Sequence, residues 1–188
     1  VLERDRIEQR IEAIPDRTAG FALSLPHGNW NVYADRLPTG TYLKTVRLNG
    51  RESFPGVVQS EGGTLRMELL LGNAGATVEG RLDDSGTSPS GAQVVLVPEI
   101  AFRRRSDRYF TTFADGTGTF HFDAIPPGKY TAYAFEHIEP DAWYAFAYDP
   151  QTQTRFANLG VALEVAETGA VAIRPKVISA AEAPGGNE

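Results

Sequence analysis

The sequence contains no cysteine. Disulfides and thiolate metal sites are therefore excluded, although the compartment is not fixed by that absence. No apolar run approaches the 18 residues that would read as a membrane-spanning helix. The three histidines, His27, His121 and His137, sit in unrelated contexts, and none forms an H-E-x-x-H pair. There is no G-x-S-x-G elbow, no cysteine nucleophile and no phosphate loop. Basic residues are in deficit, 18 against 24 acidic, and the formal charge of −6 disfavours nucleic acid or an anionic membrane as partner. These gaps point away from an enzyme and from any cofactor.

What the chain has in quantity is punctuation. Nineteen glycines and twelve prolines divide 188 residues into short segments, which favours an all-β fold. The clearest stretch runs from Tyr109 to Phe135, YFTTFADGTGTFHFDAIPPGKYTAYAF. Thr111 and Phe113 alternate with other residues at the period of a half-buried strand. Asp115-Gly116 supplies the turn, because both residues tolerate φ > 0. Phe120 and Phe122 share one face of the next strand, with His121 and Asp123 on the other. Pro126, Pro127 and Gly128 form a corner, because prolines cannot donate to a ladder and glycine permits a sharp change of direction. Tyr130 opens a third strand.

Further motifs flank this stretch: G-x-x-V-x-G-R-L from Gly75 and S-G-A-Q-V-V-L-V-P from Ser90. With D-G-T-G-T-F-H-F and I-P-P-G-K-Y, residues 75–178 resemble the carboxypeptidase regulatory-like domain, a β-sandwich of transthyretin-like or prealbumin-like, Greek-key topology. The resemblance implies a non-catalytic module of a secreted, periplasmic or cell-surface protein, hence an extracytoplasmic location. It implies no peptidase activity, and no catalytic, metal or cofactor residue follows from it.

An internal repeat extends this reading to the N-terminal part. Phe21 stands 99 residues before Phe120, which also aligns Asp16 with Asp115 and Thr18 with Thr117. Pro26 to Trp30 falls on Pro126 to Tyr130 at a spacing of 100, and Glu61-Gly62-Gly63 on Glu167-Thr168-Gly169 at 106. Pro38 to Tyr42 also matches Pro140 to Tyr144. The chain therefore divides into a divergent copy at 1–73, a complete module at 75–178 and a flexible tail at 179–188. Ile7, Ile11 and Ile14 have helical spacing, whereas the repeat makes Gln9 to Ile14 a strand; both remain open. Val1 aligns with Ile100, so the first copy lacks the counterpart of 75–99 and its two strands, Thr77 to Leu82 and Gln93 to Val97. An incomplete first module, finished by upstream residues or by a strand from another subunit, is expected. The chain also opens on Val1 rather than methionine, so an N-terminal segment is expected to have been removed or left out.

Six aromatic residues crowd one region: Tyr133, Phe135, Trp143, Tyr144, Phe146 and Tyr148. Trp143 to Tyr148 reads as a strand with rings on both faces, so one set lies outside a simple two-layer core. The rings either fill the core and an interdomain seam or offer a platform to a polysaccharide or peptide. Asp83, Asp84 and Asp115 are acidic turn residues, for which turn chemistry suffices without calcium. Arg103 to Arg108 reads as a solvated loop. The expected partners are a protein or neighbouring domains of the same parent chain, with polysaccharide as the alternative.

Overall fold

The computed structural model describes residues 2–4, 7–53, 56–73, 75–83, 90–139 and 142–183, with backbone alone for 2–4, 7–9 and 144. The chain is all-β in class and divides into two compact units, Val1–Asn73 and Ala74–Glu188.

The first unit contains β1 (Leu2–Arg4), β2 (Ile7–Ile11), β3 (Gly28–Val32), β4 (Tyr42–Leu48), β5 (Arg51–Ser53), β6 (Val57–Ser60) and β7 (Met67–Gly72). One antiparallel sheet has the order β2-β1-β3-β6, the other β5-β4-β7. Trp30 and Val32 alternate inward along β3 and meet Val58, Leu43 and Val46 in a small core. Asn49 and Gly50 both have positive φ, 49° and 79°, as the tight β4–β5 hairpin requires. Residues 7–11 are strand rather than helix, and the strand stops before Ile14, which is 87% exposed.

The second unit contains β8 (Ala76–Arg81), β9 (Gln93–Pro98), β10 (Phe110–Phe113), β11 (Thr119–Ile125), β12 (Gly128–Phe135), α1 (Ala145–Tyr148), α2 (Pro150–Phe156), β13 (Val161–Val165), β14 (Ala170–Ile173) and β15 (Val177–Ile178). One sheet runs β10-β9-β12-β13, with β15 parallel to the far end of β12. The other runs β11-β8-β14, with β14 parallel to β8. Val78, Phe120 and Phe122 from the smaller sheet meet Val94, Leu96 and Ala132 from the larger, so the unit is a two-sheet sandwich. A second core covers the opposite face of the larger sheet, where Val95, Tyr133 and Phe135 pack under Phe146 and Phe156. β9 is consequently buried from Val94 to Pro98, as a central strand covered on both faces must be.

Three expectations are corrected. Trp143 to Tyr148 is not a strand but a 3-10 turn (Ala142–Tyr144) running into α1. Immediately after it Asp149-Pro150 ends α1 and starts a second helix. The Asp149 carboxylate accepts from the Gln151 and Thr152 amides, and Pro150 occupies the first helical turn of α2. The match of Pro38–Tyr42 to Pro140–Tyr144 has no structural counterpart, because β4 follows the first and helix the second; Pro140 itself lies outside the described residues. The packed chain also continues past residue 178. Ala183 is buried in the second core, and the Ala180 amide donates to Glu136 at 3.1 Å. Of the tail, residues 184–188 lie outside the described residues.

Candidate functional site

The turn and corner residues form the same local machine in each unit. The Asp115 carboxylate accepts from the Thr117 amide at 2.8 Å, the Thr117 hydroxyl at 2.7 Å and the Thr119 amide at 2.9 Å. Asp16 accepts from the Thr18 amide, the Thr18 hydroxyl and the Gly20 amide at 2.8, 2.7 and 2.9 Å. The residue in the left-handed region is Gly118 in one turn and Ala19 in the other, with φ of 77° and 60°. Asp115 and Gly116, both of which tolerate positive φ, do not adopt it. At the corner the Tyr130 hydroxyl donates to the Pro126 carbonyl, and the Trp30 indole N–H donates to the Pro26 carbonyl, both at 3.0 Å. Gly128 and Gly28 have φ of 152° and 142°. Pro127 lies between the two corner anchors.

These carboxylates are held below their ordinary value of 3.8. The cause at Asp115 is first the Thr117 hydroxyl, then the Thr119 and Thr117 amides; at Asp16 it is Thr18, then the Gly20 amide. A carboxylate depressed in the folded state stabilises the fold above its unfolded value, and that contribution is lost as pH falls through the folded value. Asp115→Ala is therefore expected to lower the Tm near neutral pH, with the gap to wild type closing below about pH 4. Thermal melts across that range check it. A gap independent of pH would remove the charged carboxylate as its origin.

Among the described aromatic rings, Tyr133, Phe135 and Phe146 are buried inside the second unit. Tyr133 stacks on Phe146 at 4.7 Å, and Phe146 lies 5.6 Å from Phe156. Burial pushes the Tyr133 hydroxyl pKa up. Trp143 is half-buried against Tyr109 at 4.7 Å. Tyr148 is 63% exposed, with the Arg104 guanidinium 5.8 Å from its ring centre. The side chain of Tyr144 lies outside the described residues. Phe156 was not singled out from sequence, although Asp149-Pro150 six residues earlier marks the helix that carries it.

The arginine run is not a simple solvated loop. Arg105 is 3% exposed and makes a two-pronged contact with Asp107, at 3.0 and 2.8 Å. Arg108 lies over the Phe102 ring at 5.2 Å, and the Tyr109 hydroxyl donates to the Arg103 carbonyl. Among the described residues, no cluster of three or more acidic, histidine or cysteine side chains could hold a metal ion. His121 faces outward on β11 and pairs with Asp123 at 2.8 Å. Asp84 lies outside the described residues.

The first unit carries a mainly apolar cleft of about 670 Å³. Phe21, Leu23, Met67, Leu69 and Leu71 are among its apolar lining residues. Arg10, at its polar end, bridges Glu12 at 2.6 Å and Asp35 at 2.7 Å. Sequence reasoning placed Phe21 and Leu23 on a strand like Phe120 and Phe122. Instead residues 21–24 belong to no strand among the described residues.

No family model matches the chain, and no curated protein matches it. Among solved structures it is similar to a candidate carbohydrate-binding protein of Pseudomonas aeruginosa, at 14% identity and a TM-score of 0.34, over 55% of this chain and 88% of that one. It is also similar to BcpA, the major pilin subunit of Bacillus cereus, at 11% identity and 0.33, over 74% of this chain and 57% of that one. A third is the minor pilin of Streptococcus agalactiae, at 12% and 0.32, over 91% and 70%. Likenesses of this depth say nothing about what this chain binds.

Proposed function

We propose that the chain is a non-catalytic interaction module of an extracytoplasmic protein, built from two sandwich units of the carboxypeptidase regulatory-like, transthyretin-like kind. The motifs over 75–178 support the family, and the matching Asp turns and corners support a second, divergent copy over 1–73. The observation that carries the interaction role is the apolar cleft of the first unit. Contiguous exposed apolar surface of this sort marks recognition sites in soluble proteins. Its partner is a protein or a neighbouring domain of the same parent. A polysaccharide platform would need several exposed, coplanar rings. Of the described rings in the aromatic stretch, Tyr148 is exposed while Tyr133, Phe135 and Phe146 are buried.

An environment-sensitive apolar dye tests the cleft. Fluorescence of anilinonaphthalene sulfonate is expected to rise on the native chain and to fall back in Leu71→Glu, whose side chain is half-exposed and whose replacement leaves the core untouched. A native chain that leaves the dye dark would overturn the reading.

A further inference from the structure

One edge of the second unit lacks what edge strands use to refuse a neighbour. Among the described residues β10 pairs with β9 alone, in an unbroken register from Phe110–Leu96 to Phe113–Gln93. Its sequence, Phe110-Thr111-Thr112-Phe113, has no charge and no proline, and the pairing has no bulge. The other edges are blunted. β11 carries His121, Asp123 and a bulge between Phe122 and Ile125. β13 carries the exposed Glu164. β14 is uncharged, but its exposed residues are the small Ala170 and Ala172. On the described strands of the second unit, Phe113 is the one large apolar side chain left exposed, at 66%.

The backbone groups of this edge follow from their neighbours. The Ala114 amide donates to the Ala92 carbonyl at 2.9 Å, on the β9 side, whereas the Asp115 amide donates to the Thr119 carbonyl of β11. Groups alternate along a strand, so Phe110 and Thr112 face β9, while Thr111 and Phe113 send N–H and C=O off the sheet. A second β10 matches them. With the strands antiparallel and Thr112 on a two-fold axis, Thr111 of each copy opposes Phe113 of the other, and every outward group finds a partner. With Thr111 on the axis instead, Phe113 would meet Tyr109, whose amide already donates to the Ser106 carbonyl. On the outer face the two Phe113 rings become diagonal neighbours, about 7–8 Å apart and within reach of each other. Charge agrees with this direction. Arg108 stands just before the strand and Asp115 just after it. Antiparallel pairing sets the basic end of each copy beside the acidic turn of the other, whereas parallel pairing would set like beside like.

We propose that β10 is a self-association edge, at which two copies of this chain join their larger sheets antiparallel about a two-fold axis through Thr112. A second copy is the occupant because the edge supplies both halves of its own match, in register, in rings and in charge. The contact is separate from the apolar cleft of the first unit and does not depend on it. An edge of four residues falls at the small end of the interface scale, so the dimer is weak and reversible.

Sedimentation of the full chain across the micromolar to millimolar range tests it. The mass is expected to climb from 20.4 kDa toward twice that value. Amide exchange at Thr111 and Phe113 is expected to slow at least about tenfold from dilute to concentrated chain, while Thr112, which faces β9, keeps its rate. Phe113→Lys and Phe113→Glu change an exposed side chain, and each is expected to melt like wild type and stay monomeric. Mixed in equal amounts they are expected to associate, because opposite charges then occupy the diagonal. Thr111→Pro removes an outward donor and no bond to β9, and is expected to be monomeric too. A mass that stays at 20.4 kDa at millimolar concentration would overturn the proposal. So would association that survives Phe113→Lys and is lost in Leu71→Glu, which would move the contact to the cleft. A mixture of the two Phe113 variants that associates no better than either alone would overturn the antiparallel pairing.

Discussion

Gly80→Val is expected to destabilise the second unit by at least about 3 kcal/mol. Gly80 sits in β8 between two strands. A side chain there would run into the Ile173 carbonyl and approach the Phe120 Cζ at 2.8 Å. The obstacle on one side is backbone of a paired strand, which cannot swing away as a flexible side chain could. Relief would require separating β14 from β8. Gly116 provides the control, because a Cβ added there meets nothing within 4 Å. Gly116→Ala is expected to change stability by no more than about 0.5 kcal/mol. Chemical denaturation of both variants measures the difference, and a Gly80→Val midpoint equal to wild type would be incompatible with the β11-β8-β14 sheet.

The second large effect is expected at Phe146. Truncation to alanine removes a fully buried ring that touches Tyr133 and Phe156, and leaves a cavity under a short helical segment. A loss of about 3–5 kcal/mol is expected. Tyr148, two residues on, faces outward, and Tyr148→Ala is expected to stay within about 0.5 kcal/mol. The contrast separates a structural from a recognition role for the aromatic stretch. If Phe146→Ala kept full stability, the second core would not be holding residues 142–156 on the sheet.

Much of this architecture is legible in the chain because its signals are local. The Asp115 turn, the proline-glycine corner and the alternation of Phe120 with Phe122 need only neighbours to specify them. The matching turn and corner of the first unit are legible for the same reason, since Asp16, Thr18, Pro26 and Gly28 are the residues that make hydrogen bonds or adopt unusual φ. What the sequence conceals depends on distant partners. W-Y-A-F-A-Y alternates like a strand, yet it folds as helical turns whose Phe146 packs on the second face of the larger sheet, a partner distant in sequence. Phe21 and Leu23 have the pattern of a strand but belong to no strand among the described residues, and a ladder cannot be read from one of its rails. The buried Arg105 is hidden too, because a run of arginines looks solvated until Asp107 closes on it.

The parallel pairing of β14 with β8 has a consequence for biosynthesis. Thr77 opposes Ala170 across 93 residues of chain. At roughly 5–20 residues per second, β8 leaves the ribosome about 5–20 seconds before the strand that completes its sheet. β11 arrives earlier and covers one edge. The other edge of β8, with Gly80, stays open until β14 has been made. Slowing elongation between residues 81 and 170 would lengthen that interval without altering a single contact of the finished protein, and aggregation during expression should track it.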